Sequence, residues 1–398
     1  MKFKKIALLR TIQAALIAVL LISGTADYLI DDSFSVHRGG ALPAMAPWTL
    51  TPAENILPES LPEETHSSYT AMFGKLPVKR VKVRHLKKTL LCPGGMPFGA
   101  KMFTEGLLVS SLTEVDGANG FCRPAYEAGI RERDIILKIN EKPVSSAEEL
   151  AREVADGGGQ PIIFTVQRAG SELTFTVTPE LSQSEKQYKT GMWIRDNTAG
   201  IGTVTFIDPS SGEFAGLGHG ICDSETGALL PLSRGIVMDV TINGVQKGAS
   251  GTPGELKGSF TSGKRGMLLG NSDAGVYGIF TALPPEADPS SAIPIALKEE
   301  IQDGKATLLC TLGESGIQAY EVNIRKIRNA LDNKNLEVTV TDPLLLEKTG
   351  GIVQGMSGSP LIQDGRLIGA VTHVLINDPT RGYGIFIENM LSAAKMAA

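Results

Sequence analysis

Apolar positions along this chain fall into distinct regimes, each predicting a different kind of element. Lys2, Lys4, Lys5 and Arg10 accompany an apolar run from Ile6 to Ile22 that Thr11 and Gln13 also interrupt. As a helix its 17 residues would extend about 25 Å, enough for a membrane anchor if Arg10 snorkels to the interface. Ser23-Gly24-Thr25-Ala26 offers a small-residue cleavage site, so residues 1–30 read as a signal or membrane anchor with everything after them outside the cell membrane. Residues 31–74 are rich in Pro, Ser, Thr and Glu without sustained periodicity, which predicts a flexible linker. Between 75 and 95, Val78, Val81 and Val83 interleave with Lys79, Arg80, Lys82, Arg84 and His85. That pattern predicts a strand with a basic solvent face, and contact of that face with anionic lipid is a second reading.

From Pro93 the signals sharpen. A glycine-rich loop leads into a strand, GLLVSSL forms a second, and AGIRERDIILKIN gives a tight turn followed by a strand burying Ile135, Leu137 and Ile139. Ser146 with Glu149 three residues on predicts a capped helix to about Asp156, stopped by Gly157-Gly158-Gly159. IIFTVQR and LTFTVTP alternate on either side of Ala169-Gly170-Ser171, predicting a hairpin. The last half, from about residue 190 to 398, is a succession of short strands and glycine turns closed by one helix near Met390–Met396, which predicts an all-β barrel or sandwich.

Length and composition narrow the classes. With 398 residues there is chain for two or three domains, and 45 Gly with 22 Pro argue against a helical bundle. Lys and Arg total 38 against 43 Asp and Glu, a balance without the basic excess that nucleic-acid binding calls for. Cys92, Cys122, Cys222 and Cys310 lie far apart, with no CxxC pair and no nearby histidines in ligand spacing, so neither a metal nor another cofactor is implied. Free thiols or one disulfide are both compatible with that spacing.

The candidate chemistry centres on Gly355-Met356-Ser357-Gly358-Ser359-Pro360. A serine between glycines can stand on a tight turn with its hydroxyl exposed, while the N–H groups of Gly355 and Ser357 converge on one point and can hold an oxyanion. A hydroxyl needs a base poised near neutral pH. Of five histidines, His37 and His66 fall in the linker and His85 in the basic strand, leaving His219 and His373. His219, flanked by glycines in GLGHG, is the better base; His373 follows an apolar strand and reads as a structural or specificity-pocket residue. A buried carboxylate must hold the base in its productive tautomer. Asp342 before the nucleophile turn, Asp239 and Asp196 all qualify on spacing. A serine esterase of the α/β-hydrolase type is disfavoured, because GMSGS is not GxSxG and helix–strand alternation is missing.

Two resemblances add to this. Residues 96–180 resemble a PDZ domain in the AGIRERDIILKIN run and the helix that follows. The resemblance implies a carboxylate-holding peptide loop at Met96, Pro97, Phe98 and Gly99. The whole chain resembles the stage IV sporulation protein B family, on GMWIRDNTAGIGTVTF, GLGHGI and the long run LLEKTGGIVQGMSGSPLIQDGRLIGAVTHVLINDPTRGYGIFIE. That likeness implies a mainly β protein in which a PDZ domain is followed by a chymotrypsin-like double β-barrel peptidase. It implies Ser357 as nucleophile, His219 as base and Asp342 as orienting acid, in the His, Asp, Ser order of chymotrypsin-like enzymes. It further implies a protease that cuts itself and then a membrane-bound regulator of an intramembrane protease, in the space between forespore and mother cell, leading to late sigma-factor activation. The competing reading is a non-catalytic PDZ-containing envelope scaffold.

Overall fold

The computed structural model describes residues 2–397 apart from 39, 41, 43, 44, 54–64, 145, 224–226, 228 and 328–332. Helix α1 (Lys2–Leu29) contains a stretch, Arg10–Leu29, long and apolar enough to cross a membrane. Leu16, Leu20 and Leu21 are each more than half exposed along it, a pattern suited to hydrocarbon rather than to a protein core. The end of the helix turns onto a sheet of β1 (Ser33–His37), β2 (Trp48–Pro52), β3 (Thr65–Phe73) and β4 (Leu76–Leu86), ordered β1-β4-β3-β2. Lys79 Nζ donates to Ile30 O at 2.6 Å and pairs with Asp32 at 2.8 Å, placing a cation where the helix carbonyls end. The predicted linker thus carries three strands. Phe34, Val36, Trp48, Tyr69 and Ala71 turn inward onto Val81 and Val83 of the basic strand, and these few apolar side chains are lost in an average over a polar segment. Residues 54–64 of that linker lie outside the described residues.

β5 (Leu90–Pro93) leads into β6 (Pro97–Leu112), whose two halves belong to different units. The outer half enters a unit containing β7 (Val115–Gly117), β8 (Gly120–Cys122), the short helix α2 (Pro124–Glu127), β9 (Ile135–Ile139), β10 (Lys142–Pro143) and α3 (Ala147–Asp156). β11 (Ile162–Arg168), β12 (Ser171–Val177), β13 (Glu180–Leu181) and β14 (Tyr188–Lys189) complete it. Ser146 Oγ accepts from Glu149 N at 3.1 Å, the helix start that the sequence predicts. Ala169 and Gly170 both take positive φ, 50° and 81°, the geometry that matches the twist of the β11–β12 hairpin. Leu107, Val109, Ile136, Leu150, Phe164 and Val166 share its core.

β15 (Met192–Ile207) brings the chain back, pairing Met192–Arg195 with the outer half of β6 and Asn197–Thr203 with the inner half. With β16 (Glu213–Gly216), β17 (Arg234–Gln246), β18 (Glu255–Ser272) and β19 (Gly275–Phe280), the pairings close a ring β6-β17-β18-β19-β16-β15. Phe98, Phe214 and Phe280 stack through its interior with centroids 5.7 and 4.5 Å apart. β20 (Ile293–Pro294) adds to β5. A second closed barrel follows, of β21 (Gly304–Thr311), β22 (Ile317–Lys326), β23 (Leu336–Val340), β24 (Pro360–Gln363), β25 (Arg366–Leu375) and β26 (Asp378–Phe386). Helix α4 (Pro343–Thr349) lies between β23 and β24, and α5 (Ile387–Ala397) ends the chain. The PDZ-like unit is therefore not upstream of the barrels, as its sequence position suggests, but inserted into the first of them. Two six-stranded barrels with an inserted small β unit make the molecule mainly β.

Candidate functional site

The site lies on the seam between the barrels. At the end of β16, Leu217 and Gly218 both take positive φ, 66° and 67°. For a buried leucine this is an uncommon conformation. The resulting kink presents His219, half-buried, toward the second barrel, and a Cβ on Gly218 would stand 2.9 Å from the Thr372 side chain. From the other side comes the turn Gly355–Ser359. Gly358 has φ +95°, and a Cβ there would lie 2.0 Å from Thr203 O and 2.4 Å from Leu217 N. Only glycine permits this approach, and it brings the serine turn against the histidine loop.

His219 Nδ1 is 2.9 Å from Gly220 O. A carbonyl only accepts, so Nδ1 carries the proton and Nε2 keeps a free lone pair, the tautomer a general base requires. Burial lowers the His219 pKa from its ordinary value, with the Gly220 carbonyl opposing. The His373 ring packs beside it, centroids 4.7 Å apart. Burial first, then repulsion from His219 and Lys334, holds His373 down to about 4, so two neighbouring imidazoles remain uncharged at neutral pH. Ser357 Oγ donates to Thr372 O at 2.7 Å, next to His373. Breaking that bond is the rotation that frees the hydroxyl for a base. Met356 N, Gly358 N and Ser359 N are engaged by Val353 O, Val371 O and Met356 O. Among the described residues, the N–H groups of Gly355 and Ser357 have no such partner, as an oxyanion hole requires.

Two sets of expected residues are placed elsewhere. The Asp342 carboxylate caps α4, accepting from Leu344 N (2.9 Å), Leu345 N (3.1 Å) and Glu321 N (3.2 Å). The structure does not bring it to His219, whose Nδ1 is occupied by Gly220 O. An Asp-Pro pair before a leucine run is also a helix-start signal, and at this position that signal decides the geometry. Asp239 is held by Arg265 Nε through both oxygens at 2.6 Å, and the Asp196 side chain lies outside the described residues. Met96, Pro97, Phe98 and Gly99 do not form a peptide loop. Phe98 is buried in the first barrel, and Pro97–Gly99 pair with Ile201–Thr203. The strand beside α3 is instead Met192–Arg195, preceded by Gly191 at φ +77° and by Tyr188 packed on Gly159 at the end of α3. Sequence reasoning missed Leu217, Thr203 and Thr205; the TVT alternation in GIGTVTF was visible, but nothing in it names its partners.

Residues 124–168 match the PDZ domain. Curated relatives include a probable protease eep of Enterococcus faecalis, 41% identical over 64 residues. A putative zinc metalloprotease BH06270 of Bartonella henselae is 30% identical over 88 residues. These stretches cover 16% and 22% of this chain, and only 15% and 24% of the relatives' lengths. Two solved proteases align in part. The inactive form of the Rv3671c protease, from M. tuberculosis, has a TM-score of 0.28 at 16% identity, covering 50% of this chain and 85% of that one. The HtrA-type protease AlgW with a decapeptide has a TM-score of 0.30 at 15% identity, covering 54% and 55%. Residues 186–391, more than half of the chain and containing both the histidine loop and the serine turn, match the SpoIVB peptidase S55 family, and the chain belongs to that family of serine peptidases.

Proposed function

We propose that this serine peptidase is a sporulation signalling endopeptidase, acting first on itself and then on the extracytoplasmic part of a membrane-bound regulator of an intramembrane protease. Its place of action is the space between forespore and mother cell, reached by export behind α1, and the consequence of the cut is late sigma-factor activation. The observation that carries the catalytic reading is the meeting of His219, protonated at Nδ1 toward Gly220 O, and a serine turn whose Gly355 and Ser357 N–H groups have no partner among the described residues.

The chemistry follows from those positions. Ser357 Oγ leaves Thr372 O and gives its proton to His219 Nε2 as it bonds to the substrate carbonyl carbon. The carbonyl oxygen takes the negative charge and is held by the Gly355 and Ser357 N–H groups. His219 then protonates the leaving amine as the C–N bond breaks, and water, activated by the same ring, hydrolyses the acyl-enzyme. A lowered His219 pKa keeps the ring neutral and ready at neutral pH. The PDZ unit supplies recognition: an extended peptide adds to the edge of Met192–Arg195 beside α3.

The test is an intact-mass time course of the chain from Asp31 onward beside its Ser357→Ala counterpart. Fragments that accumulate only in the first support the reading. An equally folded first protein that stays whole, alone and with a membrane-regulator ectodomain added, favours the scaffold reading.

A further inference from the structure

We propose that Thr203 and Thr205 of β15 are positioning residues that hold the oxyanion hole formed, an assignment that rests on the reading of Ser357 as nucleophile. In a trans peptide the C=O and the following N–H point in opposite directions, so anchoring one end of each unit fixes where the other aims. The serine turn contains five carbonyls, from Gln354 to Gly358, and all five are anchored. Gln354 O accepts from Leu256 N, and Met356 O from Ser359 N, both at 2.9 Å. The remaining three go to β15: Gly355 O accepts from Thr203 Oγ1 at 2.8 Å, Ser357 O from Thr203 N at 2.9 Å, and Gly358 O from Thr205 Oγ1 at 2.8 Å.

With every carbonyl turned away, two N–H groups are left over, those of Gly355 and Ser357. Thr203 and Thr205 are buried, at 2% and 0% exposure, so no water replaces a lost hydroxyl and the turn must relax to satisfy its carbonyls. The two hole N–H groups belong to the 354–355 and 356–357 units, held at Gln354 O by Leu256 N and at Met356 O by Ser359 N, while the threonine hydroxyls hold the adjoining 355–356 and 358–359 units. A flip of the 358–359 unit takes Ser359 N off Met356 O and so releases the unit that aims the Ser357 N–H, and a flip of the 355–356 unit loosens the segment between the two hole units. β15 belongs to the first barrel and the turn to the second, so these hydroxyls also fix one barrel on the other. Both side chains point to the same side, as residues two apart on a strand must.

The experiment compares T203V with T203S and T205V with T205S. Each valine is close to isosteric and removes only the hydroxyl, while each serine keeps it. Turnover of a peptide substrate spanning a self-cleavage site, affinity for a peptide aldehyde that forms the tetrahedral adduct, and affinity for the uncleaved peptide on an S357A background are measured together. The expected result is a fall in kcat of about 10–100-fold for each valine variant, approaching the loss of one oxyanion donor. KM and uncleaved-peptide affinity stay within about twofold, aldehyde affinity falls in parallel with kcat, and serine restores both. If T203V does not fold, the T205 pair carries the same test. Folded valine variants with wild-type kcat overturn the proposal, as does a loss confined to KM. A Ser357→Ala enzyme that still turns over would instead remove the nucleophile reading beneath it.

Discussion

Replacing Asp342 separates a helix cap from an orienting acid. Its carboxylate serves three backbone N–H groups, those of Leu344, Leu345 and Glu321. Asp342→Ala therefore removes an N-cap and one further acceptor, costing about 1–3 kcal/mol. At the scale of a barrel domain pair that lowers Tm by several degrees, at roughly 2–4 °C per kcal/mol. Asp342→Asn keeps a good capping oxygen for Leu344 and Leu345 and loses only the bond from Glu321, about 1 kcal/mol. Self-cleavage, scored by intact mass under conditions where both variants are folded, should proceed within about threefold of wild type. An acid that orients the base behaves otherwise: amide for carboxylate inverts the hydrogen-bond polarity at the histidine and costs about 10⁴ in kcat. An Asp342→Asn protein with an unchanged melt and activity down by three or more orders of magnitude would refute the capping argument and put Asp342 at the base in the active conformation.

Burial holds Glu299 up to about 7, and its Oε1 accepts from Ser35 N at 2.9 Å while Oε2 is buried without a partner among the described residues. The unfolded carboxyl ionises near its ordinary 4.5, so stability falls as pH rises from 4.5 to 7 and the deficit is complete above 7. Glu299→Gln should raise stability at pH 8 by about 1–3 kcal/mol and change it little at pH 4, read by chemical denaturation of the Ser357→Ala protein. For the histidines the sign is opposite. The unfolded chain takes a proton near 6.5 that folded His373 refuses until about 4, so stability declines through that window as pH falls. The acid limb of the self-cleavage rate should lie below pH 6.5, because His219 must be neutral to act and its pKa is lowered; a limb at or above 6.5 contradicts the burial argument. Trp193, 64% exposed on the strand edge beside α3, should change its emission in a Trp48→Phe background when a PDZ-binding peptide docks. Emission that stays constant while binding is seen calorimetrically would place the peptide elsewhere.

Local signals in the sequence carried the PDZ-like unit well. The Ser146 cap, the Ala169-Gly170 turn and the inward alternation of Phe164 and Val166 depend on residues near one another, and each predicted element formed, although the strand Ile135–Ile139 buries Ile136 and Ile139 rather than Ile135, Leu137 and Ile139. What was not legible is long-range. Met96–Gly99 has the glycine and the aromatic of a peptide loop, yet Phe98 finds Phe214 more than a hundred residues away and becomes barrel core. Likewise, composition over 31–74 gives no weight to the handful of apolar residues that make β1, β2 and β3, because β1 and β3 find their partner in β4, and β2 pairs with β3. The serine turn and GLGHG were readable since glycine at such density demands unusual backbone, and the positive φ values at Leu217, Gly218, Gly355 and Gly358 supply it. Asp342 shows the reverse hazard: chain order matched a triad, but an Asp-Pro start to a helix is satisfied by backbone within three residues.

The path of β15 gives the inserted unit a physical connection to the chemistry. A domain appended through a loop transmits little, since a loop absorbs displacement in its own dihedrals. Here the chain leaves the PDZ unit at Arg195 and, within the same strand, reaches Thr203 and Thr205 on the serine turn. β6 accompanies it in antiparallel register through both units, with irregularities between Trp193 and Ile194 and between Arg195 and Asn197. The second of these interrupts the ladder where the units meet, between the outer segment and the inner segment that holds Gly355, Ser357 and Gly358. A ligand shifts an equilibrium only by its differential affinity for two states. A peptide docked on Met192–Arg195 would therefore influence catalysis only by preferring one position of β15 over another, and the turn carbonyls held by Thr203 and Thr205 are the first groups such a preference would reach.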